Sequence, residues 1–333
     1  MPETRFRFGL WVCGLLVASS LFIGRGAFAL TVSPTIFDQT TDPGSSLKGA
    51  ITLTNETDSA QTYYTSVQNF VAEGEDGRQQ FLPETDKTGL ATWLKTTIPS
   101  LTLKAGESRE VNWTIELPKS AEPGGHYGAV FFSTQPPNDK GVTVGIGAKL
   151  GVLFLVNVNG EIKEHAVVES FRVTDGDSAF GGTETSFLSH LPADFELRLR
   201  NQGSVHLRPV GEIEIQSMLG KKSASIPVNP LDSKVLPNSI RRIRSVWGPV
   251  DLKSDTGFFA GLANEWKGFA FGRYTAKAQV EYGMSKQHVE ATVSFWVIPW
   301  RILSVVLILI VLLVLGLKAY NRMVISSAMS KKR

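Results

Sequence analysis

Arg109-Glu110-Val111-Asn112-Trp113-Thr114-Ile115-Glu116-Leu117 alternates polar and apolar side chains without a break. A period of two puts Val111, Trp113 and Ile115 on one face of an extended chain, as in a strand with a core on one side and water on the other. The alternation recurs in Ala50-Ile51-Thr52-Leu53-Thr54 and in Phe195-Glu196-Leu197-Arg198-Leu199-Arg200. Turn residues separate such runs, at Asp42-Pro43-Gly44, Glu75-Asp76-Gly77, Pro123-Gly124-Gly125, Asp175-Gly176-Asp177 and Leu236-Pro237-Asn238. Helical periodicity is almost missing from this body. The expectation is all-β, built as sandwiches.

The body spans about 270 residues, more than one sandwich of about 100. A faint repeat accounts for the excess. In the first half a strand ends at Asn55, Lys104-Ala105-Gly106 turns into the strand quoted above, and Gly125-His126-Tyr127-Gly128-Ala129 opens the next. In the second half a strand ends at Asn201, Leu236-Pro237-Asn238 turns into residues 240–247, and Gly272-Arg273-Tyr274-Thr275-Ala276 follows. The same order twice predicts two sandwiches of like topology, each asparagine folding its amide onto a strand-end turn. The boundary falls near Glu161, after the apolar, glycine-studded run 144–156. Each half carries an insertion. Residues 70–98 hold a polar hairpin tip and a helix-like Gly89-Leu90-Ala91-Thr92-Trp93-Leu94. Residues 249–267 include Gly257-Phe258-Phe259-Ala260-Gly261-Leu262, an apolar loop by composition. Residues 178–191, with Phe180, are irregular. Such insertions either carry recognition or cover sheet edges.

Both ends are apolar. Arg5 and Arg7, an apolar stretch over 8–23 and Ala27-Phe28-Ala29 predict a signal-peptide helix over 1–29, with an uncleaved anchor as the alternative. The chain's one cysteine, Cys13, lies inside it, so the mature part has none. A secreted eukaryotic module of this size would carry disulfides, so the pattern suggests a bacterial surface protein. At the other end, residues 302–317 carry no charge and would rise roughly 24 Å as a helix, against a hydrocarbon core of about 30 Å. The aromatic flank Phe295-Trp296-Val297-Ile298-Pro299-Trp300 extends it, with Arg301 expected to snorkel outward. The expectation is a single transmembrane helix over 299–319. Lys318, Arg322 and Lys331-Lys332-Arg333 hold the tail, 320–333, in the cytoplasm, leaving sandwiches over 30–160 and 161–298 outside the cell membrane. The rival is a buried helix of a soluble protein, which would need a polar face that this run lacks.

The charge balance excludes nucleic acid. The whole chain is formally +3; the leader contributes +2 and the six cations from Arg301 onward contribute +6, which leaves about −5 for the body. No catalytic motif is present. The histidines His126, His165, His190, His206 and His288 are dispersed, and no serine sits in G-x-S-x-G. Glu73, Glu75 and Asp76, or Asp175 and Asp177, have the oxygen ligands calcium takes, or are solvated turns. No metal, cofactor or catalytic residue is assigned. Trp113 and Trp247 read as core. Trp93, Phe258 and Phe259 are the candidate ligand contacts, and the two phenylalanines lie close enough to the C-terminal run to touch a membrane surface.

Leu101-Thr102-Leu103-Lys104-Ala105-Gly106-Glu107-Ser108 and Leu117-Pro118-Lys119-Ser120-Ala121-Glu122-Pro123-Gly124 resemble the WxL-interacting protein family of bacterial cell-surface proteins, as does Leu199-Arg200-Asn201-Gln202-Gly203 with Pro209-Val210-Gly211. The resemblance implies two immunoglobulin-like domains, the first binding peptidoglycan, then one membrane span and a basic tail. The function expected is non-enzymatic binding of cell-wall glycan or partner surface proteins at the membrane. One alternative is a chaperone-like adaptor for secreted or pilus-type subunits. Another is an accessory or degenerate glycan hydrolase at the domain junction.

Overall fold

The computed structural model describes residues 30–86, 88–136, 149–175, 182–249 and 257–330. The expected signal segment, Phe180, Asp177 and the start of the 144–156 run lie outside them. The first sandwich runs β1 (Thr31–Ser33), β2 (Ile36–Thr41), β3 (Ser46–Thr54), β4 (Gln61–Glu73), β5 (Arg78–Phe81), α1 (Gly89–Trp93), β6 (Leu94–Thr96), β7 (Ser100–Leu103), β8 (Ser108–Glu116), β9 (Gly124–Ser133) and β10 (Lys149–Val158). The second runs β11 (Ala166–Asp175), β12 (Thr183–Glu184), β13 (Phe187–Leu188), β14 (Ala193–Asn201), β15 (Val210–Ser217), β16 (Lys222–Pro227), β17 (Ile240–Trp247), α2 (Phe258–Lys267), β18 (Gly272–Tyr282) and β19 (Gln287–Val297). Helix α3 (Trp300–Ser330) follows.

The repeat read from the sequence is a repeat of topology. One sheet is ordered β1-β3-β8-β6 in the first sandwich and β12-β11-β14-β17 in the second. The facing sheets are β2-β10-β9-β4-β5 and β13-β19-β18-β15-β16. Each has one parallel pair, β2 on β10 and β13 on β19, among antiparallel ones. The alternating strand behaves as its pattern dictates. Val111, Trp113 and Ile115 are buried, and Trp113 meets Phe37 and Phe154 edge-on with centroids 4.9 Å away. Its ring lies over Gly49, where a Cβ would come within 2.4 Å, so this cross-strand neighbour must be glycine. Trp247 packs against Tyr274 and Phe295 in the second core.

The two strand-end asparagines are fully buried and make matching bonds. Asn55 Nδ2 donates to the carbonyls of Ser59 (2.8 Å), Leu103 (3.1 Å) and Lys104 (3.0 Å), while Oδ1 accepts from the Thr57 amide at 3.1 Å. Asn201 Nδ2 donates to the carbonyls of Val205 and Val235, both at 2.8 Å, and Oδ1 accepts from the Gly203 amide at 2.8 Å. The main chain repeats too. Gly106 N–H bonds Asn55 O and Asn238 N–H bonds Asn201 O, each at 2.9 Å. Both donors are left-handed, at φ +69° and +57°, a conformation open to glycine and asparagine.

Three expectations change at the C-terminal end. Residues 258–267 form a helix, not a loop, because Glu265 and Asn264 are buried and hold the segment to the rest of the domain. Arg301 does not snorkel outward. Its guanidinium lies over Gly261, at 3.4 Å from Glu265, and its side chain is largely buried. The helix also continues through residues 320–330, where a tail was expected. Its stretch Trp300–Val324 is long and apolar enough to cross a membrane, about 37 Å at 1.5 Å per residue.

Asn201→Ala leaves the Val205 carbonyl and the Gly203 amide without partners, removes one of the two bonds to the Val235 carbonyl, and should cost about 2–4 kcal/mol in urea-melt stability. Asn201→Asp should cost as much or more, since its oxygens would face those carbonyls.

Candidate binding site at the domain junction

The hairpin of β4 and β5 reaches from the first sandwich onto the β11-β14-β17 sheet of the second. Alternation along β14 and β17 turns Glu196, Arg198, Arg242 and Arg244 to the outer face of that sheet. The Glu75 carboxylate at the hairpin tip takes Arg198 in a fork, with Nε at 2.7 Å and Nη2 at 2.5 Å. Arg242 stands 3.7 Å from Glu75 and 3.2 Å from Asp76, and its main-chain N–H donates to Glu75 O at 2.8 Å. The Arg198 bond holds the Glu75 carboxyl below the usual carboxylate range, aided by charge from Arg242 and Arg172. Behind this layer, the buried Glu196 accepts from Arg172 at 2.9 and 2.5 Å. Gly77 at the tip is left-handed, at φ +82°, a conformation that favours glycine, and it lies against the Arg241 guanidinium.

A second contact closes the other side. Asp38 on β2 bonds His206 Nε2 at 3.1 Å and also pairs with Lys234. Tyr127 Oη lies 3.4 Å from His206 Nδ1. A neutral imidazole protonated on Nε2 fits both neighbours. Burial pushes the His206 pKa down to about 4 and lowers that of Lys234. The Gly125 amide meets the Ser204 carbonyl at 2.8 Å. The two sandwiches are thereby joined by charge and by main chain.

Between these contacts lies a hollow of about 270 Å³. Its floor is the outer face of the first sandwich, with Ile36, Phe70, Leu153 and Leu155, and its wall includes Leu236 and Arg241 of the second. Arg241 Nε is buried with no hydrogen-bond partner. The hollow starts where β2 starts. Beyond that point no strand among the described residues pairs the outer edge of β10, because β2 covers only Leu153–Val158 while β9 pairs all of Lys149–Val158. Leu153 N–H donates to Thr35 O at 2.9 Å. With a period of two, Gly151 and Lys149 turn their amides and carbonyls the same way, and no strand among the described residues takes them.

The sequence candidates fall elsewhere. Trp93 is half-buried over the first core, its ring 4.6 Å from that of His126. Phe258 and Phe259 are exposed on α2, in the other sandwich, and Phe258 meets Trp300 of α3. The structure does not bring the three together. Glu75 and Asp76, read as calcium ligands or a solvated turn, are tied to arginines instead, and the described residues hold no metal-binding cluster. The junction arginines were missed because charges alternating along a strand mimic a solvated face. The signal was Glu75-Asp76 in one half facing Arg198, Arg241 and Arg242 in the other, opposite charges set far apart in sequence.

No family model and no curated protein matches the sequence. Among solved structures, it is similar to a chaperone–tip adhesin complex of CFA/I fimbriae biogenesis, at 10% identity and a TM-score of 0.37, covering 79% of this chain and 97% of that one. The class 5 fimbriae chaperone CfaA gives 12% and 0.35, over 79% and 98%. The CsuC–CsuE pre-assembly complex of the archaic chaperone-usher Csu pili of Acinetobacter baumannii gives 11% and 0.36, over 79% and 97%. Values this low assign the chain to no family.

His206 gives the junction a pH dependence. Unfolded, it takes up a proton below about 6.5, whereas folded it stays neutral to about 4. Stability is therefore whole above pH 6.5 and is lost as pH falls toward 4, by at most about 3 kcal/mol from this group. Urea midpoints measured across that window should fall in the parent chain. In His206→Gln, which cannot titrate, this part of the decline should vanish.

Proposed function

We propose that the chain is a membrane-anchored, non-enzymatic arm that holds an extended segment of a partner protein by strand addition. The observation that carries this is the edge of β10 at Lys149–Val152, which no described strand takes, leading into the hollow that Leu153 and Leu155 line. An incoming strand would take main-chain bonds from Gly151 and Lys149, which give affinity, and would seat a side chain in the hollow, which gives selection. The hollow lies just under the range of about 300–1,000 Å³ of small-molecule pockets, and suits one or two apolar side chains. The C-terminal helix is the anchor, with its cations on the cytoplasmic side.

This is the adaptor alternative of the sequence, set above wall-glycan attachment. Glycan stacking needs a displayed aromatic face, and Trp93 is committed to His126 and the core. Hydrolysis needs a carboxyl with a raised pKa to act as acid. The junction carboxylates are paired with cations, and Glu75 is shifted the opposite way.

A photo-crosslinking residue at Ile36 or Lys149 of the full chain, in the cells that produce it, should yield adducts with an apolar, extended segment of a surface or secreted protein. Ile36→Arg, at a half-exposed site, should weaken that capture at least tenfold, about 1.4 kcal/mol, and leave the urea midpoint unchanged. Adducts confined to wall glycan, or capture unaltered by the substitution, would overturn the proposal.

A further inference from the structure

Helix α2 is amphipathic in the reverse sense. Its buried side carries Gly261, Asn264 and Glu265. Its outer side carries Phe259 and Trp266, 82% and 75% exposed, with Leu262 and Ala263 between them. Spacings of three, four and seven place these four on one face. A surface helix of a water-soluble domain turns its apolar face inward. Here the polar side chains are the ones committed to the protein. Glu265 accepts the main-chain N–H groups of Arg301 at 3.2 Å and Ile302 at 2.9 Å, so it caps the start of α3. That commitment fixes which face of α2 is left outside.

The outer face of α2 adjoins Ile302, Val305, Val306 and Leu309 of α3 in an apolar groove of about 560 Å³. From Ile302 to Leu309 the helix rises about 10 Å. The groove is thus continuous with the apolar surface of the long helix over its first two turns. The same end of the sandwich carries further exposed apolar groups. Phe269 and Phe271 lie just before β18, and Met218 and Leu219 form the tip between β15 and β16, Leu219 being 85% exposed. Gly272 pairs with Val297, three residues before α3, and the Met218 sulfur lies 3.1 Å from where a Cβ on Gly272 would be, so the tip belongs to this end. Lys221, Lys222, Lys267 and Arg273 surround these groups, all exposed.

We infer that this end of the second sandwich is seated in the membrane leaflet on its own side. Helix α2 lies at the boundary of headgroups and acyl chains, lipid chains fill the groove between α2 and α3, and the Met218–Leu219 tip is a second foot. The depth agrees, since interfacial helices sit about 5–10 Å into that boundary and the groove spans about 10 Å of α3. The four cations stand where lipid phosphates would meet them. The inference rests on the proposal that α3 spans the membrane.

The test uses the full chain with Cys13→Ser and one new cysteine at a time, Phe259→Cys, Leu219→Cys, Val306→Cys or Glu56→Cys. Each is labelled with an environment-sensitive fluorophore in single-copy nanodiscs of phosphatidylcholine and phosphatidylglycerol. Labels at 259 and 219 should emit blue-shifted and be quenched most by lipids with a doxyl group near the glycerol end of the acyl chain. The label at 306 should be quenched by lipid and the label at 56 should remain solvent-like. A lipid-quenched 306 with solvent-like 259 and 219 would overturn the inference and leave the anchor standing. A solvent-like 306 would overturn both. Shielding of 259 seen at high protein density but lost in single-copy discs would assign the groove to a second copy and overturn the lipid assignment.

Discussion

A buried asparagine amide sets the geometry of each sandwich. Asn55 and Asn201 hold together a strand end, the loop after it and the turn before the next sheet strand, with no solvent to supply substitutes. Their carbonyls accept from Gly106 and Asn238, whose left-handed backbone aims β8 and β17 back along β3 and β14. With that register set, Trp113 and Ile243 fall on the inner face, and the arginines between fall on the outer one. A slip of one residue would exchange the two sets. The arginine face that receives Glu75 is thus a consequence of register in the second sandwich, and the junction depends on both locks.

What could be read from the sequence was local. The alternation around Trp113, the paired asparagines and their turns each specify their own structure within a few residues, and the two-sandwich fold follows. The junction could not be read this way. Glu75 finds Arg198 at a sequence distance of 123 residues, and neither side chain looks different from a solvated one until the hairpin is placed. The stretch of β10 left uncovered by β2 depends on where β2 stops, which is a matter of pairing and not of composition. Helix α2 failed for a different reason. Its glycines and its apolar exterior read as loop, and its polar residues face the protein, so the usual inside-out rule gave the wrong state.

Charge is distributed with the same economy. The body is acidic by about five charges, yet four of its carboxylates, Glu75, Asp76, Glu196 and Asp38, are at the joint, each beside a cation. Such pairs are weak sources of stability when buried, because desolvation offsets attraction, but they discriminate strongly among relative placements. The joint holds the two sheet faces that form the hollow at a fixed spacing, and a site made from two domains is only as well defined as that spacing.

Two residues, Ile298 and Pro299, separate β19 from α3, and Glu265 clasps the first turn of the helix from the side. A swivel would need a slack linker and a free helix end, and this chain has neither. Any twist applied to the sandwiches is delivered as torque to the start of α3 through two attachments, one covalent and one through a carboxylate. The arm and the helix turn as one crank.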